Sequence, residues 1–469
     1  MSVGVEPAPR GLRAPHVKPR PGPSGSGLHR VRLWVRDSAW ILPAVGAVLG
    51  ALLAVLFVLE PFGLAHSWLR GLAWRASVSD ARKVLASIFG IVLTTLSIAL
   101  SLSLVVLQNA ASQYSPRLLR LFLGKPGSRV LIPVFVATGV YCLVGVYAFG
   151  FTENQDVAPR PALSMAMLML ICCGAALVFQ MTYTLDMVRA EQIVRRVRVS
   201  SLKVARKLDR LRREDPEAPS MVPVPSGTWW RVAAPSSGFV VDIDARALLS
   251  LAEERRLSIH VEVNIGEPVM KGASLGRVVQ EGAHQEEARI ARCVERAVLI
   301  GRWREPGRDV ALGVRQLVDV AIKALSPGIN DPSTAVEAVD QLAIMLCVLC
   351  QLRLGPRVLA DSEGRPRVFL RALELRDYLE LATAQISHYG AGEPAVGLRL
   401  LRLAGEVGLR VRREPDSSAV REVLHQVRAD AEAAQPGSSY LPMQQRYADE
   451  VERAVERKEP LPPLPSLSY

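Results

Sequence analysis

Four long, almost charge-free apolar runs crowd into the first 185 residues, at positions 40–59, 84–107, 130–151 and 163–185. A helix rises ~1.5 Å per residue, so about 20 residues cross a ~30 Å hydrocarbon core. Each run reaches that length. Lipid offers no partner to a backbone N–H or C=O, and a helix satisfies both internally, so each run is expected to be a transmembrane helix. The whole-chain figures of 49% hydrophobic and 22% charged residues conceal an apolar front and an Arg-rich back.

The net charge of +12 has a ready cause in such a chain. Basic residues collect in cytoplasmic flanks, next to anionic lipid. Arg10, Arg13, Lys18, Arg20, Arg30, Arg32 and Arg36 precede the first run, Arg117, Arg120, Lys125 and Arg129 follow the second, and Arg189, Arg195, Arg196 and Arg198 follow the fourth. The segment between the third and fourth runs holds only Arg160, beside Glu153 and Asp156. Arg70, Arg75, Arg82 and Lys83 between the first two runs are the discordant group. The balance predicts a multi-pass protein of the bacterial plasma (inner) membrane with both termini cytoplasmic. Its expected partners are the lipid bilayer, anionic lipid head groups at the basic flanks, and further copies of itself as a homo-oligomer. No basic stretch carries the interleaved aromatics of a nucleic-acid reader, so nucleic acid is not expected.

The expected architecture is an α-helical membrane domain of four transmembrane helices plus a cytoplasmic α+β region. Residues 1–38 read as a disordered basic segment and 39–185 as the membrane domain. Beyond it, Val194, Val197, Ser201, Val204, Leu208 and Leu211 recur at steps of three and four. That spacing predicts an amphipathic helical stalk over 186–213, which could seat on the back domain, pair with another subunit or lie on lipid. Pro216, Pro219, Pro223 and Pro225 mark a linker at 214–226. Residues 227–280 alternate with a period of two, as in LSIHVEVNI, and read as a β-rich module. Its halves APSSGFV and GEPVMKGASL resemble those of the barrel-sandwich hybrid of biotinyl and lipoyl carriers and efflux adaptors. A helix stands where a carrier has its lysine hairpin, and Lys271 lies in the second half instead. Residues 285–458 read as a helical bundle with runs such as EEARIARCVERAVLIG and TAVEAVDQLAIMLCVLCQLRL, interrupted by a hairpin at RVLADSEGRPRVFL. Residues 459–469 read as a disordered tail.

Two patches draw functional attention. In the second run Gly90, Thr94, Ser97, Ser101 and Gln108 form a small and polar stripe. It reads either as a packing seam or as the lining of a path at an oligomer axis. It carries no charge, which argues against a proton relay. The second patch is a pair of polar corners, Gln113, Tyr114 and Arg117 after the second run, and Ser326, Asn330 and Asp331 in ALSPGINDPSTAVEAV. Pro327-Gly328 breaks a helix there. Asp331 is placed to cap the next one, with Pro332 at its first position.

The motifs QNAASQYSPRLLRLF, FVATGVYCLVGVYAF and ALSPGINDPSTA resemble bacterial predicted membrane proteins of domain-of-unknown-function family 2254, over roughly residues 35–430. The resemblance implies an inner-membrane protein with about four helices and a cytoplasmic region. It implies no activity.

Catalytic signatures are missing: there is no Walker loop, GxSxG, HExxH or dinucleotide fingerprint. The seven histidines are scattered, and the lone CxxC of Cys347 and Cys350 sits in an apolar helical run, where small core residues are the ordinary reading. No enzyme activity, cofactor or metal is expected. The leading functional expectation is an oligomeric channel-like or transport-related protein with a cytoplasmic regulatory domain. The alternative is a non-transporting scaffold or sensor whose cytoplasmic domain binds a partner.

Overall fold

The computed structural model describes residues 40–59, 77–113, 126–151, 160–188, 190–212, 229–280 and 286–466. The basic segment 1–38, the linker 214–226, Tyr114 and Arg117 lie outside these. The chain divides into two compact units, Met1–Leu100 with Gly124–Met181, and Ser101–Leu123 with Thr182–Tyr469.

The helices of the apolar front are α1 (Ile41–Ala54, continued by a π turn, Val55–Leu59), α2 (Val78–Gln113), α3 (Pro126–Phe151) and α4 (Arg160–Val188). They outrun the apolar runs because polar residues finish their ends. At the start of α2, Ser77 accepts from the Asp80 N–H at 3.2 Å and returns its hydroxyl to the Asp80 carboxylate at 2.7 Å.

In the first unit α3 is the hub. A Cβ on Gly46 would meet the Pro133 carbonyl oxygen at 2.5 Å, and one on Gly50 would meet the Ala137 carbonyl carbon at 2.9 Å. The two glycines are four residues apart, so they share one face, and backbone packs directly on backbone. Leu85 of α2 fills the notch at Gly145, where a Cβ would lie 2.7 Å from its methyl carbon. Toward α4, the Tyr141 hydroxyl donates to the Ala162 carbonyl at 2.7 Å, and the Thr138 hydroxyl lies 3.2 Å from the Cys173 sulfur. These contacts bury Ala54, Leu85, Phe135, Tyr141 and Ala166.

The second unit takes in the ends of α2 and α4 and continues with α5 (Ala190–Arg212), which starts two residues after α4 ends. Next come β1 (Trp229–Ala233), β2 (Gly238–Ile243), α6 (Ala245–Arg255), β3 (Leu257–Val261), β4 (Pro268–Val269), β5 (Ser274–Gln280), α7 (Glu287–Ala297) and β6 (Val298–Gly301). The remainder is α8 (Val310–Ala324), α9 (Pro332–Leu349), β7 (Arg357–Ala360), β8 (Pro366–Leu370), α10 (Leu375–Gly390), α11 (Pro394–Gly408), α12 (Glu414–Ala434) and α13 (Leu441–Arg457).

The strands form a five-stranded sheet, β1-β5-β3-β8-β7, and a three-stranded one, β4-β2-β6. Each half-motif contributes to both: β1 pairs with β5 in the large sheet, and β2 with β4 in the small one. The sheets also recruit chain from beyond 280. Val298–Gly301, expected to finish a helix, is β6 and pairs antiparallel with β2. Its residues Val298, Leu299 and Ile300 suit an edge strand better than a helix end. The β7–β8 hairpin joins by a parallel pairing of β8 with β3, His260 opposite Phe369. One face of the large sheet buries Leu257, Ile259, Val278 and Val368 beneath Leu248 of α6 and Ile290 of α7. The hairpin is pinned by the buried Asp361 carboxylate, which accepts from the Glu363 and Arg365 N–H groups and from the Nε atoms of Arg365 and Arg367, both at 3.0 Å. Burial pushes this carboxyl up, but those donors outweigh it and hold it well below the usual carboxylate range.

The helical core takes α5 as one of its own members. Ile193, Val194, Val197, Leu202, Val204 and Ala205 are buried with Val314, Leu317, Leu342 and Met345. Ser201 is buried too, its hydroxyl donating to the Val197 carbonyl at 2.8 Å, and a Cβ on Gly313 of α8 would come within 2.7 Å of the Ser201 Cβ. Arg198 Nε donates to Gln341 at 2.7 Å and Arg212 to the Arg353 carbonyl at 2.7 Å, so α5 is fastened near its middle and at its C-terminal end. α11, absent from the runs singled out by spacing, is buried on nearly every side through Val396, Leu398, Leu400, Leu401, Leu403 and Val407. Its Arg399, Arg402 and Glu406 recur at steps of three and four on the remaining half-buried face, so it is an ordinary amphipathic helix. The described part of the tail, 459–466, is not free chain. Leu461 and Leu464 pack on the helical core, and Arg402 donates to the Pro462 carbonyl at 2.7 Å.

Among the described residues, five helical segments are long and apolar enough to cross a bilayer: those of α1 to α4, and α9.

Candidate functional site

The polar stripe of α2 faces away from the first unit's core. At 100° per residue, buried Val78, Ala81, Leu85, Ile88, Val92 and Ala99 lie on one side, and Gly90, Thr94 and Ser97 on the other. Gly90, Thr94, Ser97, Ser101 and Gln108 are all exposed, and a Cβ on Gly90 would meet nothing within 4 Å. Gly90, Thr94 and Ser97 therefore take no part in the described core of the first unit. Two of its hydroxyls turn inward along the helix: Thr94 donates to the Gly90 carbonyl at 2.8 Å and Ser97 to the Leu93 carbonyl at 3.0 Å. Such back-bonding lets a hydroxyl face lipid or another helix at little cost. The close-packing glycines of the membrane region are instead Gly46 and Gly50 of α1. Their spacing, Gly-x-x-x-Gly, was the available signal.

The second corner joins α8 to α9. The Ser326 hydroxyl donates to the Lys323 carbonyl at 2.7 Å, and Asn330 adopts a left-handed conformation at φ 47°, which asparagine tolerates. Asp331 caps α9: its carboxylate accepts from the Thr334 N–H at 3.1 Å and from the Thr334 hydroxyl at 2.6 Å. Ser326 and Asp331 thus spend their polar groups on the turn itself. Gln113 is the last residue of α2.

Sequence reasoning missed two further places. The first is a cleft of about 900 Å³ where the 350–354 and 409–413 links meet α10, lined by Cys350, Leu354, Glu374, Arg410, Arg412 and Lys458. Burial, and the neighbouring Cys347, push the Cys350 thiol up to about 11, and it donates to the Cys347 carbonyl at 3.3 Å. It is protonated at neutral pH and is no nucleophile. No cluster of three or more His, Cys, Asp or Glu side chains able to hold a metal occurs among the described residues.

The second is His260, on the face of the large sheet opposite its main core. Its ring stacks on Phe369 at 4.2 Å and meets Trp229 edge-on at 4.8 Å. Its Nε2 is buried without a hydrogen-bond partner. Burial pushes the imidazole down to about 4; Arg277 adds to that, and Glu262 opposes it. An unfolded histidine titrates near 6.5, so between pH 6.5 and 4 the unfolded chain binds a proton that the folded chain does not. Stability is therefore expected to fall as pH drops through that window, by about 1–2 kcal/mol between pH 7 and 5. His260→Phe should remove that share of the loss, read as the difference in Tm between the two pH values. An unchanged difference would show that His260 titrates normally.

Apolar helices long enough to span a bilayer, joined to a helix-and-sheet region, define a membrane protein with a substantial extramembranous part. The chain belongs to the predicted membrane protein family DUF2254, whose model matches residues 36–405. An uncharacterized protein of Mycobacterium bovis is 30% identical over 432 residues, covering 90% of this chain and 79% of its own length. Uncharacterized proteins from two Mycobacterium tuberculosis strains are 30% and 29% identical with the same coverage. No solved structure matches the chain.

Proposed function

We propose that this is a multi-pass bacterial inner-membrane protein with four spans and cytoplasmic termini, acting as a non-enzymatic membrane-anchored scaffold or sensor. Its cytoplasmic unit binds a partner, and α5 is the coupling element. The carrying observation is that α5 starts two residues after α4 and is at the same time an internal helix of the second unit's core. A state change in that core has a path of one helix to the membrane, with no Pro-rich spacer between. α9 is the candidate span to set aside. Its Ala335, Ala338, Val339, Leu342, Met345 and Leu346 are fully buried in that core, so its apolarity is accounted for by protein packing. The barrel-sandwich likeness applies to the β1–β5 and β2–β4 pairs, and we read it as a structural adaptor rather than a carrier, since α6 occupies the carrier's lysine position.

A second reading, the channel-like or transport-related homo-oligomer, draws on the outward stripe of Gly90, Thr94, Ser97 and Ser101, which other copies of the chain would enclose. Reporters fused after residue 155 and at the C-terminus should appear outside and inside respectively. In reconstituted vesicles the scaffold reading expects no solute flux from the wild type. Flux that Ser97→Leu with Ser101→Leu abolishes would replace it with the channel. A partner search should use the full chain, because a fragment starting at the linker lacks α5 and would expose Val314 and Leu317.

A further inference from the structure

The outward face of α5 carries Arg195, Lys203, Arg206, Lys207 and Arg210, all exposed, with Val199 and Leu211 exposed among them. Lys203 and Lys207, and Arg206 and Arg210, are like-charge pairs at a spacing of four, which destabilises a helix. Little within α5 offsets them. Asp209, the acidic residue nearest these cations in sequence, spends its carboxylate on the Arg353 N–H at 3.0 Å. A helix that keeps such a strip, while its other face is committed to a core, holds a surface for a polyanion. Two features select which polyanion. The strip belongs to the helix that begins two residues after an apolar membrane-length helix. The exposed Val199 and Leu211 between the cations suit the boundary between head groups and acyl chains, not a nucleic-acid backbone.

We propose that the outward face of α5 is a docking surface for anionic phospholipid head groups along its whole length. The proposal rests on the reading that α4 spans the membrane and the second unit is cytoplasmic. α5 is about 34 Å long, and charges act over about 8–10 Å at physiological salt. Arg206, Lys207 and Arg210 therefore take part only if the face meets the lipid surface lengthwise.

The test uses the full chain in nanodiscs of phosphatidylcholine alone or with one third phosphatidylglycerol. Acylation of Lys203 and Lys207 by an amine reagent is followed by mass spectrometry, with exposed Lys271 of the β module as the internal reference. Phosphatidylglycerol should slow both strip lysines about fivefold and leave Lys271 unchanged. Arg206→Gln with Arg210→Gln should reduce that protection, and about 1 M salt should remove it. Equal rates in the two lipids would overturn the proposal. So would protection by an added single-stranded oligonucleotide in phosphatidylcholine discs without protection by phosphatidylglycerol. A chain that alkaline carbonate strips from native membranes would instead overturn the membrane reading beneath it, so the two failures are distinguishable.

Discussion

Gly50→Ala is expected to destabilise the first unit by about 1–3 kcal/mol, and Gly50→Leu to prevent α1 from docking at all. The added Cβ would stand 2.9 Å from the Ala137 carbonyl carbon and Cα, so the obstacle is backbone, which cannot rotate aside. Gly46 is in the same position against Pro133 one turn earlier, and separating the helices at one glycine opens the contact at the other. Within lipid there is no water-driven attraction to compensate, since an acyl chain is as apolar as leucine. The matched control is Gly90→Ala, where the new Cβ meets nothing within 4 Å and helix propensity improves. The measurement is the heating temperature at which each variant, held in mild detergent, loses its monodisperse elution peak. If Gly50→Ala and Gly90→Ala lose it together, the α1–α3 contact is not what holds the unit.

The second large effect is expected at Gly313. Alanine there drives a methyl group into buried Ser201, whose own Cβ would be 2.7 Å away. The penalty of about 1–3 kcal/mol falls on the contact that seats α5, while α8 stays packed through its other faces. Because α5 is rich in Arg and Lys, its release has a direct readout. Trypsin should cut between residues 195 and 212 about tenfold faster or more, as 1.4 kcal/mol is a factor of ten in the population of the open form. Ser201→Gly combined with Gly313→Ala should restore most of the resistance, because it removes the Cβ that the new methyl meets. Faster cutting in the double variant than in Gly313→Ala would refute the steric account. In the scaffold reading, Gly313→Ala also disconnects the cytoplasmic unit from α4 without touching a residue of the membrane region.

The apolar helices of the front were legible because span length and lack of charge need no tertiary context. The cap at Asp331 was legible for a similar reason: Pro-Gly, then Asp-Pro, dictates a turn and a helix start locally. What failed to show was what depends on partners. Small residues on α2 looked like a seam, yet Thr94 and Ser97 satisfy themselves on their own helix, while the real close approach lies at two glycines of α1. α11 was legible in principle, since Arg399, Arg402 and Glu406 mark one polar face at helical spacing. β6 escaped because Val298–Gly301 continues an amphipathic helix in register, and only β2 makes it a strand. His260 could be placed on a strand, but its aromatic enclosure needs Phe369, more than a hundred residues away, and no local pattern announces that pairing.

That parallel pairing of β3 with β8 has a consequence for how the protein is made. Until about residue 370 leaves the ribosome, β3 holds one open edge of backbone donors and acceptors, while α7, β6, α8, α9 and β7 are all synthesised in between. Closing a contact of such separation is entropically slow, and an unpaired strand edge meanwhile invites the wrong neighbour. The large sheet therefore cannot be completed until β8 has emerged, and crowded nascent chains should be prone to mispair at that edge.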